Sequence, residues 1–336
     1  MKTIFSRAPS RVDFAGGTLD LPFFADAEKG ATLNCAISKY GHVTLSPNEK
    51  GLEINSINYN KIIKVPFPVK YNGDLDLIKA AFKCTNFNQK ATLTTYHEMC
   101  PHSRLGTSSS ISVAVLGAIY RYLGKKIDRY FISDLATMME RRELGMDNGP
   151  QDQYAAALGG VLMLRYKKGS KKTFVEHVKL KEETIFDLEK NFVLCYLDSE
   201  KVAGNVNHET VMGYSNGNER VVDAIKNIKQ ITFSMYKALK KSDLLNFSEL
   251  INEETKNREK LNKYIVTPNC KKFINIGLKN GAASAKILGA GAGGTLLFYA
   301  KENQREKLIN TLRKNNGDVF DFRFDFKGLQ TWGKNE

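Results

Sequence analysis

Two acidic residues, Glu140 and Asp152, lie on either side of a glycine-containing turn. The first is predicted late in a helix and the second after the turn, so both could face one site from two elements. Phosphoryl transfer needs a magnesium ligand, positive charge, and a carboxylate that orients or deprotonates the acceptor hydroxyl. The pair could supply two of these roles. The alternative is that Glu140 and its neighbour Glu143 are solvated acids on a helix surface.

A segment rich in small and hydroxyl residues, Pro101–Ser110, leads into an apolar helix that is predicted to begin in Ser108–Ser110 and to end at Gly124. The first turn of a helix presents unpaired N–H groups at the positive end of its dipole, which is an anion site. The segment lacks the Gly-Lys-Ser/Thr ending of a P-loop, so phosphate would bind in another way. Ordinary capping by serine is the alternative interpretation.

A glycine-rich segment, Gly281–Gly294, precedes a predicted strand near the end of the chain. A dinucleotide-binding fingerprint would stand between a first strand and a helix, with an acid about 20 residues further on. That arrangement is absent. We therefore expect a tight loop that packs against the phosphate site, or else a purely structural turn.

The elements that must position these segments differ between the two halves of the chain. Short β-rich runs fill the first hundred residues, at 3–5, 31–45, 52–57, 62–65 and 91–95, and a helix is predicted from a Ser133 cap to Gly145. A strand at 161–166 and a hairpin turn at 167–172 follow. Beyond the strand at 192–197, amphipathic helices are predicted at 219–240, 243–261, 270–280 and 302–315, and strands at 295–300 and 319–326. We predict one domain over residues 1–185 and a second over 186–336.

Composition narrows the functional classes. The net charge is +14, but the lysines are dispersed in short groups without a long basic tract, which is typical of a solvated surface rather than of nucleic-acid binding. The five cysteines contain no Cys-x-x-Cys pair, so neither a disulfide framework nor a zinc ribbon is indicated. No signal-peptide core and no apolar run of about 20 residues is found. We expect a cytoplasmic protein with no membrane partner.

Taken together and in this order, the segments resemble the three motifs of the GHMP kinases. Ala8–Pro22 resembles motif one, the serine segment motif two, and Lys286–Gly294 motif three. The resemblance covers nearly the whole chain. It implies an α+β fold, with an N-terminal domain like the second domain of ribosomal protein S5, a ferredoxin-like C-terminal domain, and the active site between them.

The resemblance also implies roles for individual residues, with ATP and Mg²⁺ as cofactors. Arg11 would lie near the transferred phosphoryl group, Asp152 would be the catalytic base, and Ser108 and Glu140 would bind magnesium. The implied nucleotide-binding residues are Arg104, Leu105, Gly106, Thr107, Ser108, Ser109, Gly289 and Gly291. The implied substrate-binding residues are Gly16, Gly17, Asp20, Asp152 and Gly291, with Asp20 contacting sugar hydroxyls.

Within the family, Gly149–Gly160 most resembles the D-glycero-D-manno-heptose 7-phosphate kinases, which act at the anomeric oxygen and would supply nucleotide-sugar and surface-polysaccharide precursors. Two motifs depart from the family pattern. In motif two, Arg104 replaces a glycine that is usual there, and Pro101 lies one residue closer to that position than expected. Motif one reads Gly-Gly-Thr-Leu-Asp rather than Gly-Gly-Gly-Thr-Asp. Arg104 could add a phosphate contact or could alter the loop. The alternatives are a kinase of galactose, fucose or a uronic acid, and a non-catalytic sugar sensor. A small-molecule substrate is expected, with a homodimer left open.

Overall fold

The computed structural model of the chain describes residues 2–167, 169, 172–198 and 205–334. Residues 168, 170 and 171 of the predicted hairpin turn lie outside the described residues. The flanking strands pair antiparallel, from Leu162 opposite His177 to Arg165 opposite Phe174. Among the described residues, no helix has the length and apolar character needed to cross a bilayer.

The first half of the chain builds a mixed sheet around its two long strands, which pair antiparallel over most of their length. The path of the sheet is β12-β1-β2-β5-β3-β4, and β6 and β7 continue from β2. Its strands are β1 (Thr3–Ala15), β2 (Ala31–Pro47), β3 (Leu52–Ser56), β4 (Lys61–Lys64), β5 (Ala91–His97), β6 (Val161–Arg165), β7 (Phe174–His177) and β12 (Gln330–Lys334).

The helices of the first half are α1 (Pro22–Glu28), α2 (Asp76–Thr85), α3 (Thr107–Tyr122), α4 (Arg129–Met138), a π-helical turn (Met139–Glu143), α5 (Gln151–Leu158) and α6 (Glu182–Asn191). Of these, α2 to α5 and the π-helical turn bury a core of aliphatic side chains with the phenylalanines Phe82 and Phe87 against the sheet. Phe24 of α1 and Leu188 of α6 are buried in other clusters. The helix α3 is the one predicted from the serine segment.

The second half forms a separate four-stranded antiparallel sheet in the order β11-β8-β10-β9. Its strands are β8 (Phe192–Leu197), β9 (Ala282–Ile287), β10 (Gly294–Ala300) and β11 (Asp318–Phe320), and its helices are α7 (Val206–Ser215), α8 (Glu219–Lys240), α9 (Leu244–Leu261), α10 (Pro268–Lys279) and α11 (Arg305–Lys314). Strand, helices, two strands, helix and strand follow one another as in a ferredoxin-like unit. The predicted α+β fold is confirmed.

The last strand crosses between the two halves. β12 pairs with β1, from Thr3 opposite Lys334 to Arg7 opposite Gln330, and so forms an edge of the first sheet. Residue 185, the predicted boundary, lies within α6 rather than between elements. A division at that position stays a proposal for the bulk of each unit, with β12 contributed to the first unit by the end of the chain.

Some local predictions need correction. α4 begins at Arg129, where the Asp128 side chain accepts hydrogen bonds from the amides of the first turn. Ser133 is therefore not the cap, and its hydroxyl instead donates to the carbonyl of Arg129 inside the helix. Residues 282–287 form the buried strand β9, although their alanine-rich composition is typical of a turn or helix. The predicted strand at 319–326 ends at Phe320.

Candidate active site

A cavity of about 660 Å³ opens along the start of α3 and brings together parts of motifs one, two and three. One end is lined by residues of the turn between β3 and β4 and of the start of α2, including Asn58, Tyr59 and the N-cap Leu75. The other end is lined by charged and small residues: Arg11, Arg104, Gly106, Thr107, Ser108, Asp152 and Gly289. The volume suits a small-molecule ligand. Its polar end contains the residue types that recognise phosphate.

The N-terminus of α3 is available to a ligand. Gly106 adopts a left-handed conformation (φ 72°) as the N-cap, and no side chain caps the first turn. Thr107 and Ser108 line the cavity there. Uncapped amides at the positive end of a 16-residue helix form an anion site.

Two other predicted nucleotide-binding residues, Leu105 and Ser109, are buried and do not line the cavity. Leu105 is fully buried in a hydrophobic cluster, and its carbonyl accepts from the amide of Arg11. Ser109 is also buried and does not line the cavity. The first turn of α3 is anchored to β1 and β2, because the Ser110 hydroxyl donates to the carbonyl of Ala8 and accepts from the amide of Gly41.

Arg11 and Asp152 form a bidentate ion pair at the polar end of the cavity. The Nε of Arg11 donates to Oδ1 of Asp152 at 2.8 Å, and its second terminal nitrogen donates to Oδ2 at 3.0 Å. The remaining terminal nitrogen donates to the carbonyl of Arg104 at 2.7 Å. Such a fork fixes the orientation of a carboxylate as well as its charge.

Asp152 is positioned by the first turn of α5 and lies directly against the anion site. Its Oδ2 would lie 3.1 Å from a Cβ placed on Gly106, so a larger residue there would crowd it. Burial raises the pKa of Asp152, while the charge and hydrogen bonds of Arg11 oppose that rise. About a quarter of the side chain (23%) is exposed. A partly accessible carboxylate beside an anion site can accept a proton from a bound hydroxyl.

Asp20 lies on the other side of the α5 N-terminus. Its carboxylate occupies the space next to Gly149, where an added Cβ would fall 1.7 Å from Oδ2, and it accepts from the amide of Gln151. Burial raises its pKa to about 6, with the charge of Asp152 adding to the rise and that of Arg141 opposing it. Asp20 is therefore near enough to Asp152 for their charges to interact, although Asp152 lines the cavity and Asp20 does not.

Gly16 and Gly17 do not share that placement. Gly16 packs against the backbone of Ala31, and Gly17 lies beside the carboxylate of Asp13. Gly291 packs on the carbonyl of Ile265 and does not line the cavity, whereas Gly289 does. For these three glycines, the structure shows a close approach of backbone to protein.

Glu140 is fully buried in the π-helical turn below α3. Its carboxylate accepts from the Ser112 hydroxyl at 3.1 Å and from the side-chain amides of Gln153, at 2.9 Å, and Asn148. Among the described residues, no cation forms an ion pair with it. Burial raises its pKa to about 7, and the three hydrogen bonds only partly offset this.

The surroundings of Glu140 fit a divalent cation. Asn148 and Gln153 donate to Glu140 through their amide nitrogens, while their side-chain oxygens are buried without hydrogen-bond partners. Oxygen acceptors without partners and a carboxylate without a counter-charge therefore belong to the same buried group, and oxygen ligands suit such a cation. Ser108 lies one helical turn before Ser112 in α3, and its carbonyl accepts a hydrogen bond from the Ser112 hydroxyl. The described residues contain no group of three or more His, Cys, Asp or Glu side chains suited to a metal. Mg²⁺ that is bound with a nucleotide commonly uses only one or two carboxylates.

Sequence reasoning missed a buried network of four charges behind the cavity. The Nζ of Lys286 lies 3.2 Å from both Asp13 and Glu254, and Arg258 lies 3.7 Å from Asp13. Asp13 also accepts from the amide of Gly289 at 2.8 Å. The network joins β1 to α9 and β9. The available signal was the occurrence of single charged residues inside apolar strands, as at Asp13 and Lys286.

Comparison with known proteins places the chain among kinases of small molecules. The family profile "GHMP kinases N terminal domain" matches residues 75–160, and "GHMP kinases C terminal" matches residues 235–318. The chain is 30% identical to D-glycero-alpha-D-manno-heptose 7-phosphate kinase of Campylobacter jejuni, over 99% of both proteins. It is 23% identical to the bifunctional fucokinase/GDP-fucose pyrophosphorylase of Arabidopsis thaliana, over 89% of this chain and 30% of that protein.

Solved structures agree with the sequence comparisons. A D-glycero-D-manno-heptose 1-phosphate kinase from Bacteroides thetaiotaomicron superposes with a TM-score of 0.82 and 26% identity, covering 99% of this chain and 100% of that one. A mevalonate kinase gives a TM-score of 0.78 at 20% identity, with 96% and 99% coverage, and so shares the fold. The two heptose kinases are named for different phosphate positions.

The buried Glu140 predicts a pH-dependent stability. Its folded pKa, about 7, lies above the unfolded value, so the native state holds an extra proton between roughly pH 4.5 and 7. Stability contributed by the protonated form is therefore lost as pH rises through that window. We expect the free energy of unfolding of Glu140→Gln to increase relative to that of the wild type by a few kcal/mol between pH 4.5 and 8. The slope of this difference should be no more than about 1.4 kcal/mol per pH unit.

Urea denaturation at several pH values without magnesium measures this gain. The Asn148 and Gln153 amides can turn their unpartnered oxygens toward the new Gln donor, so the variant is expected to fold. Glu249→Gln, on the exposed face of α9, is the matched control and should show no such trend. If the difference in the free energy of unfolding between Glu140→Gln and wild type stayed constant across this pH range, the raised pKa of Glu140 would be contradicted.

Proposed function

The chain belongs to the GHMP kinase family and is a sugar kinase, a phosphotransferase with an alcohol group as acceptor, and we propose that it phosphorylates D-glycero-D-manno-heptose 7-phosphate with ATP. The hydroxyl proposed to react is the anomeric one. The proposal places the enzyme in the cytoplasm, where ATP and sugar phosphates are available.

The observation that carries the proposal is the position of Asp152. Its carboxylate lies against Gly106, at the start of a helix whose first turn is free to bind phosphate. Asp20 lies against Gly149 in the turn before α5, and the charge of Asp152 contributes to the raised pKa of Asp20. An acceptor hydroxyl between the two carboxylates would therefore face the terminal phosphate of a nucleotide in the cavity.

The reaction that this geometry supports is a direct in-line transfer. The proton of the acceptor hydroxyl moves to Asp152 as the sugar oxygen bonds to the γ-phosphorus. The bond from that phosphorus to the bridging oxygen breaks, and ADP leaves. Arg11 holds the carboxylate in one orientation throughout, and the amides at the start of α3 stabilise the negative charge on the phosphate oxygens.

Magnesium would be held by Glu140 together with the Ser108 hydroxyl at the start of α3. It would supply charge neutralisation between the nucleotide phosphates. The protein's own part is to keep Glu140 oriented through Ser112, Gln153 and Asn148. Glu140 does not line the cavity, so a magnesium ion in the cavity would have to reach Glu140 past the first turn of α3.

A phosphorylated acceptor is favoured by Arg141. Its Nε donates to the carbonyl of Asn148 at 2.7 Å, and its guanidinium lies beside Asp20, whose carbonyl is 3.5 Å from a terminal nitrogen. Among the described residues, no carboxylate lies within ion-pair distance of it. Partial burial lowers its pKa. A guanidinium with unused donors beside the sugar site suits the phosphate of a sugar phosphate.

The first test is coupled ADP release with Mg·ATP and a panel of acceptors. We expect selective turnover of D-glycero-D-manno-heptose 7-phosphate, and a kcat lower by about 10²- to 10⁴-fold in Asp152→Asn because the base is lost. The panel includes heptose 1-phosphate, galactose, fucose, a uronic acid and homoserine. Preference for a neutral sugar or for the 1-phosphate would overturn the proposed substrate, and full turnover by Asp152→Asn would overturn the base.

A second test concerns Arg141. We expect Arg141→Met to raise KM for heptose 7-phosphate by about 10- to 100-fold, the range for a lost charge-assisted hydrogen bond. Turnover of the unphosphorylated heptose should change little. Arg142→Met, which removes the exposed neighbouring guanidinium, is the control. An equal loss with both acceptors would mean that Arg141 positions Asn148 or Asp20 and does not bind the phosphate.

A further inference from the structure

Arg11, the residue expected near the transferred phosphoryl group, is already committed to protein contacts. One edge of its guanidinium is occupied by the carboxylate of Asp152, and the remaining terminal nitrogen donates to the carbonyl of Arg104. The side chain of Arg11 is only 5% exposed. Turning Arg11 toward a ligand would break the ion pair that orients the base, so the cation for the phosphate is to be sought elsewhere.

Arg104 has the opposite character. It lines the polar end of the cavity, and no described residue forms an ion pair or a side-chain hydrogen bond with its guanidinium. Its Nε is buried without a partner. Burial lowers the pKa of Arg104, and no neighbouring acid raises it. A buried donor without a partner is destabilising, more so when it is charged, and a phosphate ligand would supply a partner for this guanidinium.

The backbone of Arg104, in motif two, is contacted by Arg11 of motif one and lies against Gly289 of motif three. It adopts a left-handed conformation (φ 65°), which is energetically unfavourable for an L-residue other than glycine. Its carbonyl is bound by Arg11, and that same carbonyl would lie 2.8 Å from a Cβ on Gly289. Glycine, the residue that the family resemblance leads one to expect at this position, would adopt this conformation without that cost.

The side chain of Arg104 is guided by the glycine-rich loop. A Cβ placed on Gly294 would fall 2.3 Å from Cγ of Arg104, and one on Gly289 would lie 3.1 Å from Cβ of Arg104. The two glycines therefore leave a channel for the aliphatic part of the arginine. Arg104 lines the same cavity as Gly289, Gly106 and the first residues of α3, Thr107 and Ser108, so a ligand in the cavity could contact both the arginine and the start of the helix.

We infer that Arg104 binds the terminal phosphates of the nucleotide and takes over, in this chain, the charge role expected of Arg11. The inference rests on the proposed use of ATP. A planar guanidinium can donate to two phosphate oxygens at once, next to the helix amides. It would stabilise the negative charge that spreads over the γ-phosphoryl oxygens during transfer, as arginines do in other phosphotransferases.

Calorimetric titration with Mg·AMP-PNP and with AMP tests the inference without an acceptor sugar. Arg104→Gly restores the residue that the left-handed backbone prefers, so the variant should melt at the same temperature as wild type or higher. We expect its affinity for AMP-PNP to fall at least tenfold and its affinity for AMP to change less than threefold. Arg121→Met removes an exposed arginine at the other end of α3 and should leave both affinities unchanged.

Steady-state kinetics provide the second measurement. With the best acceptor, kcat of Arg104→Gly should fall by about 10²-fold or more, the range for removing one preorganised donor. Added guanidinium should restore part of the activity, and Arg104→Lys should retain part of it. KM for the sugar should stay within threefold.

The outcomes separate the inference from the proposed function. Equal losses for AMP and AMP-PNP, or unchanged affinity and kcat in Arg104→Gly, would overturn the role of Arg104 while leaving the kinase intact. A wild-type chain that fails to bind AMP-PNP would contradict the use of ATP, and the role of Arg104 with it.

Discussion

The site depends on the requirement that charges buried in the first strand be paired. Arg11 and Asp13 are two residues apart on β1, so their side chains point to the same face of the sheet, and both are buried. An isolated buried charge costs several kcal/mol, and removing one partner of a buried pair costs about 3–5 kcal/mol. Arg11 finds its partner in Asp152, and Asp13 finds Lys286 and the amide of Gly289. Pairing two charges on one strand thus fixes the positions of Asp152 and of the glycine-rich loop relative to β1.

The charges that stay unpaired mark where ligands would complete the site. The network behind the cavity is neutral, with two acids and two bases, whereas Glu140, Arg104 and Arg141 have no ion-pair partner among the described residues. A cation is suited to Glu140 and phosphate groups to the two arginines. The raised pKa values of Glu140, Asp20 and Asp152 follow from the same cause, because each carboxylate is withdrawn from water with incomplete compensation.

Much of this could be predicted from sequence, for identifiable reasons. Long amphipathic patterns placed α8 at 219–240 without error, and the serine segment placed the start of α3 within one residue. The alanine-rich β9 was missed because its strand is specified by burial and not by β-propensity. Single sequence positions also could not show that Arg11 forms an ion pair with Asp152, or that Gly291 packs against Ile265. Those facts depend on which residues distant in sequence meet, which local patterns do not encode.

The most direct test of Asp152 as a base oriented by Arg11 is the pH dependence of kcat/KM in the wild type and in Arg11→Met, measured with one acceptor. Arg11 opposes the rise in the pKa of Asp152, so its loss must raise that pKa further. A base acts only when it is deprotonated, and the acid limb of kcat/KM reports the free enzyme. The account predicts that this limb moves to higher pH in Arg11→Met. Titration of the substrate phosphate is common to both proteins and cancels. An acid limb at the same pH in both proteins would contradict the account.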